Sequence, residues 1–148
     1  MWEILNEAVQ DCLTKSHYKI YIAINNIDRI DLIKGIFDKI IEEKKLQNFI
    51  TQYRANLNQC VIQFNNCSQI EISTCNENRR GCRVHTLIVD ADIDYNIVRT
   101  VLYTYKIPYH YWNYQTANIY DNPKHYEVKF FSITTEKGAE IICPIKIQ

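Results

Sequence analysis

The sequence predicts an α/β protein with a mixed sheet, and three segments carry that prediction. Residues 83–90 run through Leu87-Ile88-Val89 and stop at Asp90, a continuous apolar run that suits a central parallel strand covered on both faces. Residues 28–44 place Ile30, Ile33, Ile36/Phe37 and Ile40/Ile41 on one face at helical spacing. Residues 59–75 hold two β-rich runs joined by Asn65-Asn66-Cys67-Ser68, which reads as a hairpin.

The remaining elements fall in order around these three. Trp2, Leu5, Val9 and Leu13 make a helical stripe over 2–15. Residues 18–24 read as a strand, punctuated by Asn25-Asn26. The Asp28 carboxylate is placed to cap the helix that follows by accepting its free amide hydrogens. A short helix is expected at 46–53, a polar loop at 76–82 and a third helix at 93–105, where Ile93, Ile97, Val98, Val101 and Leu102 share a face. The last third turns aromatic and β-rich, at 109–114, 126–130 and 140–144, with turns at Asp121-Asn122-Pro123 and Lys137-Gly138. These strands are expected to extend the sheet.

Length and composition set limits on function. At 148 residues, with 47% hydrophobic and 23% charged side chains, the chain fits one globular domain with a full core, read as 1–105 plus an aromatic β-rich extension at 106–148. The formal net charge is zero, so non-specific nucleic-acid binding needs a local positive patch, and an acidic nucleic-acid mimic is disfavoured. The N-terminus lacks the basic and apolar regions of a signal peptide, and no apolar run approaches the roughly 20 residues of a membrane helix. The expectation is a cytoplasmic protein with reduced cysteines and no membrane partner.

One stretch resembles a known family. The hairpin Ile62-Gln63-Phe64-Asn65-Asn66-Cys67-Ser68-Gln69-Ile70 is followed by Arg80-Gly81 and then by Leu87-Ile88-Val89-Asp90. This order resembles the ATPase core of phage terminase large subunits, where an F-x-N-G-S-x-I hairpin precedes an Arg-Gly pair and a hydrophobic strand ending in Asp-Glu. The resemblance covers about residues 2–105, and it implies that strands 18–24 and 83–90 are parallel neighbours. It implies that Asp90 stands where the family keeps its magnesium-organising carboxylate. The departures are as informative. The family's water-activating Glu is Ala91 here, and its turn glycine is Cys67, which implies a turn built differently. Glycine occurs only at 35, 81 and 138, so no phosphate loop of the form G-x-x-x-x-G-K-S/T can be written within these residues. The resemblance therefore implies a scaffold without ATP hydrolysis, because the phosphate cradle and the base supply most of the catalysis of phosphoryl transfer.

Other constellations supply candidate sites. Asp90 and Asp92, with Asp94 beyond, share one face of an extended chain and are the weak candidates for a Mg²⁺ site. A D-x-D after a hydrophobic strand is also similar to haloacid-dehalogenase-like phosphatases, but the companion residues of that family are absent. The plainer reading is a strand-to-helix loop in which Asp92 or Asp94 caps a helix. Cys82-x-x-His85 has poor zinc spacing, and no cofactor is expected. Arg79, Arg80 and Arg83 form the dense basic cluster, suited to a phosphate or an acidic protein surface. Tyr109, Tyr111, Trp112 and Tyr114 suit either base stacking or a protein-binding face. The function that follows is a non-catalytic binding protein of phage or mobile-element origin. Its expected partner is a larger host protein or nucleoprotein complex, as for an inhibitor of host defence such as an anti-CRISPR protein. Two alternatives stand beside it: a DNA-packaging factor that binds nucleotide or DNA, and a Mg²⁺-dependent phosphatase or nuclease using Asp90 and Asp92.

Overall fold

A computed structural model describes residues 3–75, 84–94, 96–97, 109–113, 118–122, 127–136 and 139–145. Its architecture is mixed α/β. Helix α1 (Glu3–Thr14) leads into β1 (Lys19–Ile24), and α2 (Arg29–Lys44) leads through a 3-10 turn (Gln47–Phe49) into β2 (Ile50–Ala55). Then follow β3 (Gln59–Phe64), β4 (Gln69–Thr74), β5 (Thr86–Asp90), β6 (Tyr109–Asn113), β7 (Asn118–Asn122), β8 (Glu127–Glu136) and β9 (Ala139–Ile145). Seven strands form one sheet in the order β2-β3-β4-β1-β5-β8-β9.

The centre of that sheet is parallel and its flanks are antiparallel. β1 pairs in parallel with β4 on one side (Lys19 to Gln69) and with β5 on the other (Ile20 to Thr86), so the expected parallel pair is present. β5 pairs in parallel with β8, while β3–β4, β2–β3 and β8–β9 are antiparallel. Burial explains the arrangement. Ile20 to Ile24 are all buried in β1, and all five residues of β5 are buried, as strands covered on both faces require.

One face of the sheet carries α1 and α2. Leu5, Val9 and Cys12 of α1 and Ile33, Phe37 and Ile40 of α2 pack with Ile20, Ile22, Ile62, Ile72 and Phe131 into one core cluster. The opposite face holds Tyr21, Ala23, Leu87 and Val89, met by Val84, Ile93 and half-buried Ile97. Helix α2 stops where Lys45 turns left-handed at φ 54°. The Leu46 amide then donates to the Ile41 carbonyl at 3.0 Å and the Lys45 amide to Glu42 at 3.2 Å, closing a Schellman motif with Leu46 buried beneath it.

Four expectations change. Asp28 sits at the N-cap of α2 but makes no side-chain cap; Asn26 Oδ1 instead accepts the Asp28 amide at 3.0 Å. The helix expected at 46–53 is a single 3-10 turn followed by β2. A register shift between Ile50 and Gln52 puts Ile50 opposite Phe64 and Tyr53 opposite Ile62. That bulge gives a strand the three-residue apolar spacing of a helix. β8 and β9 extend the main sheet as expected, but β6 does not, because it pairs with β7 in a separate two-stranded ladder. The turn at Cys67 uses the backbone that a glycine would take: Cys67 adopts φ 68°, in the left-handed region that glycine favours. Of the helix expected at 93–105, residues 98–105 lie outside the described residues, as do the loop 76–82 and Trp2.

Candidate functional site

Ligands of open parallel sheets gather beyond the carboxyl ends of the strands. Here β1 and β5 end side by side, with Ala23 level with Val89, and the chain leaves them at Asn25 and Asp90. Asp90 is fully buried, so its charge needs a partner and its oxygens need donors. Both requirements are met within the chain. Asp90 Oδ1 accepts the Asp92 amide at 3.1 Å, and Oδ2 accepts the Asn25 amide, also at 3.1 Å. Oδ2 further receives Arg29 Nη1 in an ion pair.

Arg29 is the first residue of α2, which starts just beyond the end of β1, so its side chain reaches back across the strand ends. Its other terminal nitrogen, Nη2, donates to Asp92 Oδ2 at 2.7 Å. One planar fork thus spans two carboxylates, a geometry that arginine holds better than lysine. Burial lowers the Arg29 pKa, but the hydrogen bonds to Asp92 and Asp90 and their charges outweigh it and raise the value overall. The two arms differ in exposure. The Asp90 side chain is 0% accessible and that of Asp92 57%, with Arg29 between them at 25%. The loop continues with Asp94 Oδ1 accepting the Asn96 amide at 2.8 Å, in line with the expected helix-capping role.

The hairpin turn forms a second polar centre at the other end of the sheet. The Cys67 amide donates to the Phe64 carbonyl at 3.1 Å and the Phe64 amide to Ser68 at 2.9 Å, the pattern of a three-residue hairpin loop closed by a left-handed residue. Asn66 Nδ2 then donates to the Cys12 carbonyl at 2.7 Å and to Lys15 at 3.3 Å, satisfying acceptors left over at the end of α1. Buried Ser68 accepts the Tyr18 amide at 3.0 Å and donates to the Lys15 carbonyl. This turn therefore docks α1 and β1 together. Beside it lies an open groove of about 300 Å³ lined by Thr51, Gln63, Phe64, Asn65, Cys67, Ser68 and Gln69.

Of the residues singled out in the sequence, Asp90 and Asp92 are brought together, with Arg29 between them. Tyr109, Tyr111 and Trp112 lie on β6, in register with Asn122, Tyr120 and Ile119 of β7. Arg79, Arg80, Arg83 and Tyr114 lie outside the described residues, as does Cys82. His85 stacks on Tyr18 at 5.0 Å, and its Nδ1 accepts the Lys19 amide at 3.0 Å, so that nitrogen is spent on the backbone. Among the described residues no group of three metal-ligating side chains comes together. No helix among them is long and apolar enough to cross a membrane. Arg29 is the site residue that sequence reading missed. Its one visible signal is position, a lone cation opening the helix after a buried strand.

The site thus belongs to an α/β protein with a parallel-centred sheet and a buried carboxylate at a strand end. Among solved structures, the large terminase ATPase domain of Thermus phage P74-26 is similar at 14% identity, over 66% of this chain and 46% of that one, with a TM-score of 0.48. A point-mutant form of the same domain is similar at 10% identity, over 84% of this chain and 51% of that one, with a TM-score of 0.51. The chain spans about half the length of these domains. The likeness to the point-mutant form is one of fold: the protein has a terminase-like α/β fold. No protein-family model and no curated protein sequence matches the chain.

Proposed function

We propose that this protein is a non-catalytic binding protein built on a terminase-like ATPase scaffold, of phage or mobile-element origin. One observation carries the reading: the carboxylate at the end of β5 is spent on Arg29 and two backbone amides, and the next residue is Ala91. These three donors occupy most of the carboxylate's acceptor capacity, which disfavours a metal–nucleotide complex there, and alanine cannot activate water. The same arrangement argues against a Mg²⁺-dependent phosphatase or nuclease, because Asp90 and Asp92 already share one guanidinium tethered to α2. The narrower form of the proposal is an inhibitor of a host defence complex, such as an anti-CRISPR protein. What supports it is the likeness of the fold to a phage protein, together with Ala91 following Asp90.

Two measurements test the reading. Incubation with ATP and Mg²⁺ is expected to release no phosphate, and pull-down from a candidate host is expected to recover one larger protein or nucleoprotein complex at micromolar bait. Steady phosphate release overturns the non-catalytic reading. An empty pull-down, with calorimetric heat on adding ATP–Mg²⁺ or short DNA, moves the assignment to a packaging factor that binds nucleotide or nucleic acid.

A further inference from the structure

We propose that Arg29 is a built-in counter-ion, whose guanidinium fills the place between Asp90 and Asp92 that a divalent cation would otherwise take and so keeps such cations out of the strand ends. The proposal rests on the non-catalytic reading and deepens it by naming the group that closes the site. Three observations carry it. The first is that Asp90 is 0% accessible, and a buried carboxylate calls for a charge partner and hydrogen-bond donors. Removing Arg29 takes away the charge partner and leaves the two backbone amides.

The second observation is the span of the fork. Arg29 joins Asp90 and Asp92 at once, through separate nitrogens, and it comes from a different element 61 positions before Asp90. Two carboxylates converging on one positive centre, with water completing the shell, is also the arrangement that a hard divalent cation accepts. The third is access. The Asp92 side chain is 57% exposed and that of Arg29 25%, so solvent reaches the outer carboxylate and the guanidinium, while the inner carboxylate is 0% accessible. The guanidinium is tethered beside the two carboxylates and meets them intramolecularly, whereas a free ion has to bind from solution. The closed state is therefore the resting state, and it needs no ligand.

The test is thermal melting of the full chain with and without MgCl₂ or MnCl₂. Four proteins are compared: wild type, Arg29→Ala, Arg29→Met, which keeps the apolar stem, and Arg29→Met combined with Asp90→Asn. The wild-type midpoint is expected to stay fixed with either salt. The two single variants are expected to melt lower and to recover about 4 °C at a tenfold excess of cation over its dissociation constant. The double variant is expected to lose that recovery. A wild-type protein that gains as much as the variants overturns the proposal, and so do folded single variants that gain nothing. Single variants that fold only on adding the cation support it, and variants that stay unfolded with the cation overturn it. Phosphate release by the wild type, measured separately, would sink the non-catalytic reading and leave the melting comparison to be judged by itself.

Discussion

Two of the motifs that resemble the terminase family sit at opposite ends of the sheet and are held in different ways. At the hairpin, Cys67 takes a left-handed φ of 68°, the backbone that glycine favours, and Asn66 and Ser68 tie α1 to β1. At the end of β5, the Asp90 oxygens accept from Arg29 and from two backbone amides. The first is a joint of neutral hydrogen bonds, and the second is a joint built on an ion pair.

Substitutions at the two places sharpen that contrast. The largest effect is expected from Asp90→Asn, which leaves the Arg29 guanidinium facing a neutral amide and costs about 3 kcal/mol in urea unfolding. An effect below about 1 kcal/mol would mean that the ion pair fastens nothing. Ser68→Ala comes next, at about 2 kcal/mol, because it removes the buried acceptor of the Tyr18 amide and one of the two side-chain donors to the Lys15 carbonyl. Cys67→Gly is expected to work in the opposite direction. It relieves a left-handed L-residue at some cost in chain entropy, for a net gain of about 0.5–1 kcal/mol, and a measured loss would show that the thiol packs usefully. Asp92→Asn is the smallest, at about 0.5 kcal/mol, and salt should erase it, since its carboxylate is mostly in solvent. A salt-insensitive loss as large as that of Asp90→Asn would show that the two arms of Arg29 are equal.

Much of the fold was legible because it is written in local periodicity. β1, α2 and the β3–β4 hairpin each announce themselves over a few residues, and the parallel pairing of β1 with β5 followed from the family resemblance. β2 was hidden by its own bulge, which spaces Ile50 and Tyr53 like one side of a helix. The β6–β7 ladder was hidden because alternation tells which residues share a face and says nothing about which strand is the neighbour. The site was half legible. Asp90 is visible at the end of an apolar run, but its partner is not, because Arg29 reaches it only after β1 and β5 have been laid side by side. An ion pair between residues so far apart leaves no local pattern to read.

The central position of β1 has a consequence for the order of events during synthesis. Its neighbours are β4 and β5, so Lys19 waits for Gln69 and Ile20 for Thr86. At about 5–20 residues per second, the nascent chain carries the Ile20–Ile24 run for about 3–10 seconds before either neighbour has been made. Until then its only cover is α1 and α2, which are complete sooner and pack on the same apolar face. The two helices would then act first as a shield for an unpaired strand and only later as one layer of the finished protein.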